Sequence, residues 1–372
     1  MMNVGLCLSD LHPQAFGDGS NHRTASATNF AGHYRLIDFM LSNMVNSGVY
    51  SVAIVLGSQY QTLMAHIGSG REWDLARTSS GGLQFFPQYP GGERRFNDIR
   101  DEPLQRAIGF VEGEKTDDVL VMDGNGVYNI DFREPLEKHQ ESGADVTALY
   151  VKKPILDIDT THAVCFILGR SGKVTGVVCQ PPAGERRNLS MGAFIVKKRV
   201  LLQLLARERF CDVTKFSCEM LEGILKSHKV NAWEFKGYAT RICSFPTFFH
   251  YNMEMLEPAK REPLFDCDGR RIHTVGHDSE PARYGKDADI RNSIISNGCV
   301  IEGTVENSVI FRNVRIQPGA VVRNSILQRE TVVGENAELN WIVTDRQVII
   351  SDNRTLLGYK THPVYIEKEK IV

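Results

Sequence analysis

The chain has 372 residues, 42% of them apolar, and a formal net charge of −2. That length exceeds what one hydrophobic core usually supports, so two domains are the default expectation. The near-neutral charge and the lack of a long Lys/Arg run exclude a nucleic-acid or polyanion surface. No basic segment leading into a sustained apolar stretch opens the chain, and no window offers the roughly 20 apolar residues that span a bilayer. The expectation is a soluble, cytoplasmic protein with no membrane and no nucleic acid among its partners. Its eight cysteines (Cys7, Cys165, Cys179, Cys211, Cys218, Cys243, Cys267, Cys299) include no C-x-x-C pair and are expected to be reduced.

In chain order, Gly5-Leu6-Cys7-Leu8 reads as a first strand, and Leu36 to Ser47 carries apolar residues at helical spacing. Val52 to Leu56 is a second strand, Leu104 to Val111 a helix, and Val119 to Met122 and Val146 to Val151 are further strands buried on both faces. Val200 to Leu205 opens another helix. Strands alternating with helices imply a Rossmann-like α/β domain with a mainly parallel sheet and right-handed crossovers. A polar segment with Pro258, Pro263 and Pro281 reads as a connector. The expected division is an α/β domain over 1–256, a connector over 257–286 and a second domain over 287–372.

In that last part, Asn292-Ser293-Ile294-Ile295 recurs as Asn307-Ser308-Val309-Ile310 and as Asn324-Ser325-Ile326-Leu327, a repeat of roughly 16 residues. Small or branched apolar residues fall at Ile294, Val300, Val305, Val309, Val314, Ala320, Ile326, Val332, Ala337, Ile342 and Val348. Steps of roughly five or six residues fit a triangular parallel β-helix with one inward side chain per flat side. A sandwich of short strands is the alternative.

The run Gly32-His33-Tyr34-Arg35-Leu36-Ile37-Asp38-Phe39, with Leu41-Ser42-Asn43 and Val45-Asn46-Ser47-Gly48, resembles the G-x-Y-R-L-I-D-F-x-L-S-N-x-x-N-S-G block of glucose-1-phosphate adenylyltransferases, the ADP-glucose pyrophosphorylases. Ser58-Gln59-Tyr60, Trp73-Asp74-Leu75, Gly81-Gly82, Ser190-Met191-Gly192 and Asn252-Met253 extend the likeness over the first domain. The resemblance implies a nucleotidyltransferase (GT-A-like) domain followed by a left-handed β-helix. It also implies a tetramer and a reaction of ATP with glucose 1-phosphate that needs magnesium.

Where that chemistry requires charge, this chain departs from the family. The family's Gly-rich phosphate loop, G-G-x-G-T-R-L, is replaced by Ser9-Asp10-Leu11-His12-Pro13; it lacks glycine, Pro13 removes a donor and Asp10 repels phosphate. Gly17-Asp18-Gly19 is a weak substitute. The Lys of K-P-A-x-P-F falls on Ala25, and the G-T-A-D-A loop on Ile99-Arg100-Asp101-Glu102-Pro103. The magnesium-binding Asp of S-G-D-H falls on Asn125, the E-K-P sugar-phosphate motif reads Cys179-Gln180-Pro181, and the second metal carboxylate falls on Arg241. One well-placed electrostatic group is worth about 100- to 1,000-fold in rate, and Ala25, Glu102, Asn125, Gln180 and Arg241 are altered together.

The resemblance is therefore to the GlgD-type, non-catalytic subunit. It implies a hetero-tetramer with a catalytic homologue that alone carries magnesium, and no cofactor or metal here. An active but weak transferase with a rearranged site is the alternative, with Asp123 as a shifted metal ligand. A hexapeptide-repeat acyltransferase is disfavoured, because no His occurs from Lys286 to Thr361 to act as base. His33, Arg35, His66, Arg71 and Arg77 line a phosphate or sugar-phosphate effector site or a subunit contact, or else belong to a solvated surface. Arg35 with Asp38 is read as an internal ion pair or part of that contact, and Arg94-Arg95 and Arg186-Arg187 as loop charges. Leu356 to Tyr365 and the β-helix sides are candidate assembly surfaces.

Overall fold

The computed structural model describes residues 4–9, 24–57, 59–77, 81–87, 103–205, 218–267, 269–276 and 279–372, with backbone alone at 103–105, 205 and 218–220. The readings made above for Asp10 to Pro13, Gly17 to Gly19, Ser58, Arg94-Arg95 and Ile99 to Glu102 lie outside the described residues.

The first part of the chain runs β1 (Val4–Leu8), β2 (Asn29–Phe30), β3 (Tyr34–Arg35), α1 (Leu36–Asn46), β4 (Ser51–Leu56), α2 (Gln61–Ile67), β5 (Gly82–Pro87), α3 (Pro103–Gly113) and β6 (Asp118–Asp123). It continues with β7 (Gly126–Tyr128), α4 (Arg133–Ser142), β8 (Val146–Pro154), β9 (Val164–Leu168), β10 (Val174–Cys179), β11 (Arg186–Lys197), α5 (Lys198–Leu205), α6 (Cys218–Ser227), β12 (Val230–Phe235), β13 (Ala239–Arg241), α7 (Phe245–Glu254) and α8 (Pro258–Phe265). β1, β4 and β6 are apolar along almost their whole length because both faces of the central sheet are covered. β1 lies between β4 and β6 in parallel, Leu6 facing Ala53 and Val121.

The sheet is mixed. β11 enters antiparallel to β6 and β8, β12 joins parallel to β8, and the β9–β10 hairpin attaches along the first half of β11. One core, with Phe39, Met40, Trp73 and Tyr128, fills one side of the sheet; a second, with Ala107, Val111, Val200 and Leu204, fills the other. Local signals set the helix starts. Asp38 in the first turn of α1 accepts the Arg35 backbone N–H at 2.8 Å, and Ser244 caps α7 by accepting from Thr247 N–H, with a proline in the first turn.

From Arg283 onward the chain winds into a left-handed parallel β-helix of three five-stranded sheets. The repeated Asn-Ser has a physical basis. Asn292, Asn307 and Asn324 hold left-handed turn conformations (φ 40°, 45° and 47°), which Asn tolerates better than most side chains. The serines tie coil to coil: Ser308 N–H donates to Ser293 Oγ, Ser325 N–H to Ser308 Oγ and Ile342 N–H to Ser325 Oγ, at 3.0–3.1 Å. Val305, Val314, Ala320, Ala337, Ile342 and Val348 point inward as expected, but at five positions the inward residue is the next one along. Ile295, Ile301, Ile310, Leu327 and Val333 pack with the coil core, while Ile294, Val300, Val309, Ile326 and Val332 are the outer members of apolar pairs.

The pairing of apolar residues has a reason on one face. Val309, Ile326 and Val343 join the core of the first part, where Phe249 meets Trp341 (5.9 Å between ring centroids) and Phe245 meets Tyr365 (5.6 Å). The block from Asn29 to Asn46 stitches this junction. Asn29 Nδ2 donates to Gln328 Oε1 (2.6 Å), Ser296 Oγ to the Gly32 carbonyl (2.6 Å), and Asn46 Nδ2 to the Arg271 carbonyl (3.0 Å). Gly32 sits at φ +77°, and a Cβ there would meet Ile294 at 2.9 Å. The segment after α8 follows α1, with His273 N–H donating to Ser42 Oγ (2.8 Å).

Cys179 is disulfide-bonded, which corrects the expectation of eight reduced thiols; Cys7, Cys165, Cys243, Cys267 and Cys299 are free. Among the described residues no helix is long and apolar enough to cross a membrane.

Candidate functional site

β6 ends in the tight turn Asp123-Gly124-Asn125-Gly126, which reverses into β7, and β7 pairs antiparallel with β13 so that Gly126 faces Arg241. That register carries the Arg241 side chain back over the turn. Its Nη2 donates to Asp123 Oδ2 at 2.5 Å and its Nε to Asn125 Oδ1 at 3.3 Å, while Asn125 Nδ2 donates to Cys243 Sγ at 3.0 Å. The pair is enclosed, with side-chain exposures of 12% and 7%. Glycines permit the enclosure: a Cβ on Gly192 (φ +67°) would lie 2.5 Å from Asp123 Oδ2, and one on Gly124 would strike Ser26 Oγ.

Burial pushes the Asp123 carboxyl up to about 6 against the pull of the Arg241 guanidinium. The carboxylate in turn holds Arg241 above its ordinary value, outweighing the cost of burying that cation. Burial also raises the Cys243 thiol, to about 11, so it is a neutral acceptor for Asn125.

Around this centre the described residues pack closely. The wall facing Arg241 is the short 3-10 turn Asp157–His162. It is held because Tyr251 OH donates to Asp159 Oδ2 (2.6 Å) and accepts from Lys153 Nζ (3.0 Å). A void of about 20 Å³ remains between Asp159, His162, Leu189, Arg241, Cys243 and Thr247, room for about one water. Desolvation lowers the pKa of Lys153 and, with Arg241 close by, that of His162.

The structure brings Asn125 and Arg241 into contact. Ala25 is buried in the turn Ala25–Ala27, whose Ser26 Oγ donates to the Ser9 carbonyl (3.0 Å) and lies against Gly124. Gln180 is exposed at the end of β10 in a left-handed conformation (φ 49°), its Nε2 reaching the Thr161 carbonyl at 3.3 Å. Glu102 lies outside the described residues. The residues present do not fit a divalent cation: the buried carboxylate already accepts from a guanidinium, and the amide next to it is engaged twice. Among the described residues no cluster of three or more His, Cys, Asp or Glu could hold a metal. Asp123, the ligand in the alternative reading, is the carboxylate so engaged.

The cationic set divides. Asp38, fully buried, pairs with His66 Nε2 at 2.6 Å and accepts the Arg35 backbone N–H at 2.8 Å, while the Arg35 guanidinium donates to the Thr62 carbonyl (3.1 Å). His33 lies at the junction, its pKa lowered by partial desolvation of the ring and then by Arg312 of the β-helix. Burial and then Arg329 lower the pKa of Arg312. Arg71 and Arg77 sit apart on the surface, Arg77 paired with Asp74 and lying over the Tyr50 ring at 3.9 Å. Sequence reasoning missed Arg312 and Arg329. The signal was present, since Arg312, Arg329 and Arg346 recur at the coil repeat. It missed Lys153, Asp159 and Tyr251 for want of any local signal.

Comparison with known proteins matches residues 20–239 to a nucleotidyl transferase family and residues 279–362 to a GlmU-like, C-terminal hexapeptide family. The chain is 30% identical to the glycogen biosynthesis protein GlgD of Bacillus subtilis, covering 98% of this chain and 95% of that one. It is 34% identical to GlgD of Geobacillus stearothermophilus, over 81% and 77% of the two chains. Against a glucose-1-phosphate adenylyltransferase of Thermomicrobium roseum it is 30% identical, over 87% and 79%. A transferase-type sheet followed by hexapeptide coils, matched over nearly its whole length by such relatives, assigns the chain to the nucleotidyl transferase family, in the branch that holds the glucose-1-phosphate adenylyltransferases and the GlgD proteins.

Proposed function

We propose that this chain is a non-catalytic, regulatory subunit of glucose-1-phosphate adenylyltransferase, acting in cytoplasmic glycogen synthesis on a homologous catalytic subunit. Similarity alone does not choose between subunit types, because relatives of both names match at 30–34% identity. The observation that carries the reading is the buried Asp123–Arg241 pair. A guanidinium stands where the reaction needs a divalent cation to neutralise phosphate charge, and the void among the described residues beside it has room for about one water. Magnesium and both substrates then belong to the catalytic subunit.

A subunit without chemistry acts by favouring one conformer of its neighbour. A coupling of about 1–3 kcal/mol changes an apparent affinity about 5- to 150-fold. The cations at the domain junction, His33 with Arg312 and Arg329, suit a phosphate or sugar-phosphate effector: of the two carboxylates that act on Arg312, Asp38 is already paired with His66, which leaves Glu330 against three cationic side chains. The test is a titration of a catalytic homologue with this chain, reading the substrate concentration at half-maximal rate with and without inorganic phosphate or a sugar bisphosphate. A saturable shift in that concentration supports the reading, and unchanged kinetics at saturation would end it.

A further inference from the structure

One coil of the β-helix breaks the repeat. Ile326 pairs with Val343, 17 positions on, but Val343 pairs with Tyr365, 22 positions on. The extra length is Gly358 to Pro363, which stands where the coil before turns its corner with Trp341 alone. Both ends stay in the ladder: Gly358 N–H donates to the Asn340 carbonyl (2.8 Å) and Val364 N–H to the Trp341 carbonyl (3.0 Å). Between them Tyr359 and His362 exchange both backbone hydrogen bonds (3.2 and 3.0 Å), closing a two-residue turn at Lys360-Thr361. Glycine is required at the foot, since a Cβ on Gly358 would meet the Trp341 carbonyl at 2.5 Å, and Pro363 fixes the backbone of the return. The insertion is therefore a short, stiff hairpin standing out from the coils, and insertions into a repeat often form its binding face. Tyr359 is 74% exposed, the highest value among the described large apolar side chains, with Leu357 (60%) and Val364 (44%) at the two feet. Lys360, Thr361 and His362 are exposed on the same turn, His362 Nδ1 lying 3.0 Å from Thr361 Oγ1.

We infer that this hairpin is a contact site for a neutral α-glucan chain; the inference rests on the reading of the chain as a subunit that serves glycogen synthesis. Size and side-chain chemistry choose the occupant. A stable protein interface takes roughly 20–30 residues a side, far more than Gly358 to Pro363 and their two apolar feet supply. A membrane surface calls for a cluster of cations, and the tip carries Lys360 and His362 alone. A glucose ring has an apolar face of C–H bonds and a rim of hydroxyls. The Tyr359 ring offers a flat apolar face with a hydroxyl at its edge, and the ammonium, hydroxyl and imidazole of Lys360, Thr361 and His362 supply donors and acceptors for the rim. A preformed hairpin loses little freedom on binding, which suits so small a contact. Binding to one short glucan is weak, whereas a branched polymer offers many equivalent chains at high local concentration. The hairpin thus keeps the subunit, and the catalytic partner it packs on, at the polymer.

Native electrophoresis of the full chain through gels with and without glycogen tests this, with maltoheptaose as a soluble competitor and melting curves as the folding control. The expected result is retardation that grows with glycogen concentration and is relieved by maltoheptaose. It is at least about tenfold weaker in Tyr359→Ala and within about twofold of the wild type in Tyr359→Phe, which keeps the ring. Tyr359 is at the surface, so both variants fold. No retardation of the wild type, equal retardation of Tyr359→Ala, or a Tyr359→Phe as weak as the alanine variant overturns the site. A Tyr359→Ala chain that loses self-association in sedimentation velocity, with no glycogen retention to lose, makes the hairpin a protein contact and overturns it too. Altered kinetics of a catalytic homologue without glycogen retention remove the glucan site and leave the regulatory reading standing. Retention by a chain that leaves those kinetics untouched keeps the site and removes the reading.

Discussion

Replacing Arg241 by methionine keeps a side chain about as long as the arginine's aliphatic stem and removes the guanidinium and its charge. The Asp123 carboxylate, 5% exposed, then loses the partner at 2.5 Å, and Asn125 Oδ1 loses its donor at 3.3 Å. The void beside them holds about one water, so solvent cannot replace a guanidinium. Breaking a buried ion pair from one side costs about 3–5 kcal/mol, which for a chain of this size lowers the melting temperature by roughly 4–6 °C. Removing both charges, as Asp123→Asn with Arg241→Met, leaves no uncompensated ion and recovers most of the loss, giving a coupling of about 2 kcal/mol or more in the double-mutant cycle. Urea unfolding of the wild type, both single variants and the double variant measures it. A single variant costing less than about 1 kcal/mol, or a double variant no better than Arg241→Met, would refute the claim that the guanidinium is a structural cation.

Three further outcomes follow from the same geometry. The Asp123 carboxyl is raised to about 6 in the fold from about 3.9 unfolded, so the native state holds the extra proton between those values. Its contribution to stability is full below about pH 4 and is lost as pH rises through about 6; the penalty of Arg241→Met is therefore larger at pH 8 than at pH 5, and thermal melts at the two pH values would contradict this if it were equal or reversed. Asn125→Asp with Arg241→Asp sets three carboxylates around the turn, and this variant is expected to bind manganese by calorimetry where the wild type shows no heat; equal titrations would argue against the lost-ligand reading. Asn324 turns at φ 47°, so Asn324→Val costs about 1–2 kcal/mol while Asn324→Gly is nearly neutral in melting temperature, and equal losses would show that the turn does not need that conformation.

Much of the fold was legible because its signals are local. The strands at Val52, Val119 and Val146 are apolar runs bounded by polar turns, and the coils announce themselves by a repeated Asn-Ser whose two side chains each do a backbone job. The inward register of the coils was less legible, since pairs such as Val300-Ile301 and Val332-Val333 offer two apolar residues and only the neighbouring surface decides which is covered. At the site, Asn125 and Arg241 were identified by position in motifs, but that the arginine closes onto Asp123, 118 residues away in sequence, rather than pointing to solvent is set by the β7–β13 register. The retained block from Gly32 to Gly48 gains a reason that does not involve catalysis. Its Gly32, Ser42 and Asn46 bond the β-helix and the segment leading to it, so a chain that has lost its chemistry still needs them to hold its two parts together.

The most direct test of the account is a pyrophosphorylase assay with ATP, glucose 1-phosphate and magnesium, run on this chain, on a catalytic homologue from the same cell and on their mixture. The account predicts no turnover from this chain alone and altered kinetics in the mixture. Robust turnover by this chain alone, abolished by Asp123→Asn, would contradict it and make Asp123 a working ligand rather than the anchor of Arg241.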